Sequence, residues 1–93
     1  MAAAHAIANR RALERIPVNR SVEITTARAA NDYFDATVTD FSESGLRIFT
    51  RRLLVKGERV TVHWGQRRLV GVVVHTRPEQ NGVTVGIHLS GCR

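Results

Sequence analysis

Phe34-Asp35-Ala36-Thr37-Val38-Thr39-Asp40-Phe41-Ser42-Glu43-Ser44-Gly45-Leu46-Arg47-Ile48 reads as two alternating runs joined by a polar corner. In the first run Phe34, Ala36 and Val38 share one face while Asp35, Thr37 and Thr39 share the other, the period of two of a strand with one side on a core. Asp40 falls in phase with the apolar side, so its carboxylate is expected where the core face ends. Beyond the corner, Leu46 and Ile48 point one way and Arg47 and Phe49 the other. Aspartate and serine side chains bond nearby backbone at such corners, and Gly45 is expected to take a backbone geometry closed to other residues. Alone, this is an ordinary strand-to-strand turn.

Working outward, the same period recurs. Pro17 stops any preceding helix, and Val18, Val22 and Ile24 alternate as a first strand, with Arg20 the exception on its apolar face. Ala29-Ala30-Asn31-Asp32 is a plausible turn into the run just quoted. Residues 51–57 connect onward, closed by Lys56-Gly57. Val60, Val62 and Trp64 mark a fourth strand, and Gly65-Gln66 a tight turn. Residues 69–75 form a fifth strand, whose Val72-Val73-Val74 suggests burial on both faces. Residues 78–82, ending in Asn81-Gly82, signal a hairpin into a sixth strand of Val83, Val85, Ile87 and Leu89. Six short strands with turn chemistry at the joins predict an all-β fold, closed into a six-stranded antiparallel β-barrel because closure removes exposed edges. Residues 1–9 read as an alanine-rich flexible leader and residues 10–93 as the domain.

Ninety-three residues suffice for one domain with a modest core. Fourteen basic residues against eight acidic ones give +6, and all but Lys56 of the basic ones are arginine. The planar arginine fork suits phosphate oxygens and guanine edges, so the bias points to an anionic or nucleotide-like partner, although genome base composition can produce the same bias. One cysteine, Cys92, excludes an internal disulfide and suits a reducing, cytoplasmic setting. The strongest apolar run, within residues 69–74, is far below the ~20 residues a membrane-spanning helix needs.

Catalytic chemistry finds little footing. His5, His63, His75 and His88 lack the spacing of a metal site, and His63, His75 and His88 read as polar-face strand residues. Ser42 has no nucleophile elbow around it, and no glycine loop of the phosphate-cradling kind is present. No catalytic residue, metal or cofactor is predicted.

A second feature gives the corner its force. Arg11-Ala12-Leu13-Glu14-Arg15, preceded by Arg10, sets an arginine cluster ahead of the first strand. Together, R-x-x-x-R here and D-x-S-x-x-G at residues 40–45 resemble the signature of PilZ domains, bacterial receptors for cyclic di-GMP, with no departure at a signature position. The resemblance covers roughly residues 10–90, including Ile16-Pro17-Val18 and Gly82-Val83-Thr84-Val85-Gly86-Ile87. It implies a six-stranded barrel, the fold already reached from the strand pattern.

The resemblance also implies a site. Arg11 and Arg15, on a flexible strap, would close over the ligand. Asp40 would accept from a guanine edge, Ser42 would bond base or phosphate, and Gly45 would allow close approach. Arg10 resembles the arginine that many members use to hold a second ligand molecule, so the ligand is expected as an intercalated dimer. Ordering of the strap would then pass a signal to an effector protein or a linked domain. Arg47, beside the corner, reads first as a solvent-facing strand arginine and second as a further contact, and Trp64 reads as a core residue. Many members carry a C-terminal helix and this chain ends just after its sixth strand, which leaves a stand-alone receptor or a domain of a larger protein. Two rival readings differ in kind. A small basic barrel could bind RNA or single-stranded DNA, but its aromatics, Tyr33, Phe34, Phe41, Phe49 and Trp64, are mostly expected in the core. A protein-interaction module that binds no nucleotide would normally lack the arginines.

Overall fold

A computed structural model describes residues 15–92; Arg10, Arg11 and the leader lie outside the described residues. The strands are β1 (Ile16–Thr26), β2 (Ala29–Phe41), β3 (Gly45–Thr50), β4 (Arg59–Trp64), β5 (Arg67–Glu79) and β6 (Gly82–Cys92). They pair antiparallel in the order β1-β2-β3-β6-β5-β4, and β4 returns to β1 to close a barrel. No helix occurs among the described residues. The all-β, six-stranded barrel expected from the period of two is therefore present.

The core is built from the alternating positions. Val22, Ile24, Phe34, Ala36, Val38, Leu46 and Ile48 are buried, joined by Val60, Val62, Val73, Val85 and Ile87 from the other strands. β-Branched side chains suit this pleated wall, and each fully buried valine, leucine or isoleucine contributes about 1.5–3 kcal/mol relative to exposure. Leu54, in the β3–β4 connection, is also buried, whereas its neighbours Leu53 and Val55 stand out at 76% and 54% exposure. Phe41 and Trp64 pack on the core at the corner end, with their rings edge-to-face and centroids 6.3 Å apart. Trp64 is thus partly buried against the core.

Three local expectations are corrected. The first turn falls at Ala27-Arg28, not residues 29–32: Ala27 donates its N–H to the Arg59 carbonyl at 3.0 Å, and Ala29 already pairs with Thr26. Asn31 and Asp32 are polar because they lie on an exposed arm of β2. The valine triplet is not buried on both faces, since Val73 is 1% and Val74 41% exposed. A barrel wall has one wet face, and a register shift between Val73 and His75 disturbs the alternation. The last hairpin turns at Gln80-Asn81, with Gly82 already in β6 opposite Glu79.

Candidate functional site: the β2–β3 corner

The corner is a tight turn in which reciprocal bonds between Ser42 and Gly45 close over Glu43 and Ser44. Ser42 donates its N–H to the Gly45 carbonyl at 2.9 Å, and Gly45 returns one to Ser42 at 3.4 Å. The Leu89 N–H donates to the Ser44 carbonyl at 3.0 Å, which ties the turn to β6. Gly45 is needed for a different reason from the one expected. Its φ is not positive, the positive-φ glycines being Gly57 and Gly65. A Cβ at position 45 would instead run into the Ile87 backbone carbonyl across the β3–β6 pair. Glycine lets the two strands approach.

A bulge then re-aims Asp40. Val38 pairs with Ile48 and Asp40 with Arg47, so Thr39 is the extra residue on β2. Such an insertion shifts the alternation by one and turns the following side chain to the other face. Asp40 therefore shares the outer face with Arg47, flanked by the inward Leu46 and Ile48, and does not follow Phe34, Ala36 and Val38 as the unbroken alternation implied. The Thr39 hydroxyl supports the bulge. It lies 3.2 Å from both the Arg47 carbonyl and Asp40 Oδ2, and with one proton it donates to one of them at a time.

On the outer face the charges converge. Arg15, just ahead of β1, donates from Nε to Asp40 Oδ1 and from Nη1 to Ser42 Oγ, the latter at 3.3 Å. Arg47 donates from Nη1 to Asp40 Oδ2 at 3.3 Å. The Asp40 side chain is only 14% exposed, against 32% for Arg15 and 39% for Arg47. Two guanidiniums thus share one carboxylate, which leaves a positive excess and several unused N–H donors turned to solvent. Both guanidiniums remain partly exposed, so an anion with good geometry can compete for them. The carboxylate would then be freed to accept from a donor edge. Phosphate plus a guanine-like edge is the chemistry this arrangement suits.

Of the site residues named from sequence, Arg15, Asp40, Ser42 and Gly45 come together here, and Arg10 and Arg11 lie outside the described residues. Arg47, which the sequence offers first as a solvent-facing strand arginine and only second as a contact, is set against Asp40 by a bulge that the sequence does not mark. A groove of about 820 Å³ opens elsewhere on the wall, lined by Phe34, Asp35, Thr37, Phe49, Arg51 and Arg52 among others. It contains none of the signature residues, and its Arg52 is held by Asp32 at 2.8 Å and lies over the Phe34 ring. Among the described residues no group of three or more His, Cys, Asp or Glu could hold a metal ion. His63 is bonded to Thr25 at 3.0 Å and packs beside Tyr33.

Comparison with curated proteins finds no match. Comparison with family models does: residues 9–92 match the PilZ domain. With nearly the whole chain matched, and with the closed antiparallel barrel and its β2–β3 corner in place, this chain belongs to the PilZ domain family.

Proposed function

We propose that this chain is a cyclic di-GMP receptor that takes its ligand at the β2–β3 corner. PilZ domains as a family bind cyclic di-GMP and serve as receptors, not catalysts. The observation that carries the reading is the sharing of one carboxylate by Arg15 and Arg47 beside Ser42. In this reading a ligand phosphate draws Arg15 away from Asp40, and the freed carboxylate accepts from the N1–H and N2 amino edge of a guanine. Ser42 bonds the base or the phosphate. Arg11 adds a second phosphate contact, and Arg10 holds a second ligand molecule stacked on the first. Binding clamps the arginine-bearing segment across the corner, and that change passes to an effector protein or a linked domain. The reading places the domain in the cytoplasm.

Binding of RNA or single-stranded DNA is the rival that charge alone would favour. It needs aromatic platforms at the surface. The exposed large apolar residues are Ile16, Tyr33, Leu53, Val55 and Val74, which include one aromatic ring and no tryptophan or phenylalanine.

Calorimetric titration of the chain with cyclic di-GMP, with GTP and a short RNA as controls, tests the proposal. Saturable binding of two ligands per chain, little changed by salt, is the expected result. No heat from the dinucleotide together with RNA binding that collapses as salt rises would replace it with the basic-barrel reading. Trypsin cleavage after Arg10, Arg11 and Arg15 should slow at saturating ligand; unchanged cleavage would contradict the clamp.

A further inference from the structure

β3 begins at the corner with Gly45 and ends at Thr50, so the segment after it, residues 51–58, lies about 17 Å away at the opposite end of the barrel. Arg51-Arg52-Leu53-Leu54-Val55-Lys56 sets three aliphatic residues between cations. The fold uses only the middle one: Leu54 sits in the core, while Leu53 and Val55 stand 76% and 54% exposed. Their exposure is built in. The Arg52 N–H donates to Thr50 Oγ1 at 3.2 Å, the Val55 N–H to Glu58 Oε1 at 3.1 Å, and the Gly57 N–H to the Val73 carbonyl at 2.8 Å. With Leu54 seated and the backbone tied on both sides of it, Leu53 and Val55 have no inward position to take. Val74, also exposed, follows the strand residue that holds Gly57. The groove of about 820 Å³ takes Leu53 into its lining with Phe34 and Phe49. Charge surrounds these groups unevenly. Glu58 is the one acidic residue between Arg51 and Arg59, and its carboxylate already holds Arg28 and the Val55 N–H. Arg51, Lys56 and Arg59 are exposed and make no ion pair among the described residues.

We infer that the β3–β4 connection is a docking surface for an acidic segment of another protein, with Leu53 and Val55 as its apolar anchors and Arg51 and Lys56 on its rim. Aliphatic groups already held in place lose little freedom when a partner covers them. Charge decides the occupant. A two-fold contact joins a patch to itself, so a second copy would set Arg51, Lys56 and Arg59 against their own kind in a chain of net charge +6. An anionic bilayer would meet the cations, but its flat surface leaves the groove unfilled and brings lipid phosphates beside the Asp35 carboxylate in the groove lining. Acidic side chains around one apolar side chain satisfy both parts, the apolar one entering the groove beside Leu53. The inference does not depend on what the corner binds.

The test pans a random peptide library displayed on phage against the full chain, then measures the enriched peptides by fluorescence anisotropy with the parent and two double variants. Both variants change exposed side chains only, and each is first checked for the parent's circular dichroism spectrum. Enriched peptides should carry Asp or Glu around an aliphatic or aromatic residue. L53S with V55S should weaken their binding roughly 10- to 100-fold, the scale of removing an interface anchor. R51E with K56E should weaken it about 5-fold and flatten its dependence on salt. No enrichment, peptides without acidic residues, or peptides indifferent to L53S with V55S would each overturn the inference. Two further measurements separate the other occupants. Sedimentation with phosphatidylglycerol vesicles that is lost in L53S with V55S would replace the acidic segment with a lipid surface. A dimer in sedimentation velocity that the same variant dissociates would replace it with a second copy.

Discussion

The two ends of this barrel hold their charges in opposite ways. At the end carrying the β1–β2 and β5–β6 hairpins, three arginines each hold a carboxylate of their own. Arg28 pairs with Glu58 at 3.0 Å, Arg52 with Asp32 at 2.8 Å and Arg77 with Glu79 at 3.0 Å. At the corner end, two arginines share Asp40, with a serine hydroxyl in reach of one of them. A matched pair at the surface has little left to offer an anion, and its two partners gain little from each other. An excess of arginine around a partly buried carboxylate offers donors and an acceptor at once. Local stoichiometry, more than the count of basic residues, separates a site from a solvated face. The overall charge of +6 would not have told them apart.

The contrast can be broken by substitution. The largest expected effect is on binding: Arg15→Ala should cost about 100-fold in affinity for cyclic di-GMP, the scale of losing a charge-assisted contact, with the thermal midpoint nearly unchanged. Next comes Gly45→Ala, read by urea unfolding. Its Cβ meets backbone, which cannot swing aside, so a loss of about 1–3 kcal/mol is expected, with binding weakened as the corner shifts. Arg47→Ala should cost about 10-fold in affinity, because it removes one hydrogen-bonding partner of Asp40 and leaves Arg15 in place.

The smallest effect belongs to the opposite end. Arg52, first through its hydrogen bond and then through its charge, holds the Asp32 carboxyl below the usual carboxylate range. A depressed folded pKa gives stability that is present above the unfolded pKa and is lost as pH falls through the folded one. Arg52→Ala should therefore shrink the acid-side dependence of unfolding slightly, with no change in ligand affinity, as a pH series of thermal melts beside one titration would show. Glu79 is also held low, by its bond from Thr84 and then by Arg77, so part of that acid dependence should survive in the variant.

Most of the fold was legible because strand period is a local property. Phe34, Ala36 and Val38 declare a face by themselves, and six such runs leave a small domain little choice but closure. The errors fell where the wall departs from simple alternation. The Thr39 bulge moves Asp40 to the outer face, and nothing in Thr39-Asp40-Phe41 marks it, since threonine is as ordinary in a strand as in a bulge. The first turn was misplaced because Asn31 and Asp32 are polar for an exposed arm as they would be for a turn. Val72-Val73-Val74 misled because a run of one residue type hides its own periodicity. In the site, Asp40, Ser42 and Gly45 could be singled out from spacing. Arg47 could be named only as a second choice, because its partner is set by register across strands.

The measurement that bears most directly on the central claim is a paired calorimetric titration of Arg15→Ala and Arg52→Ala against the parent with cyclic di-GMP. Each variant removes one arginine and the same unit of net charge, one from the shared carboxylate and one from a matched pair. Parent-like affinity in Arg52→Ala with about 100-fold loss in Arg15→Ala is predicted. Equal losses in both would mean that the barrel attracts anions by its overall charge, and would contradict the corner as the site.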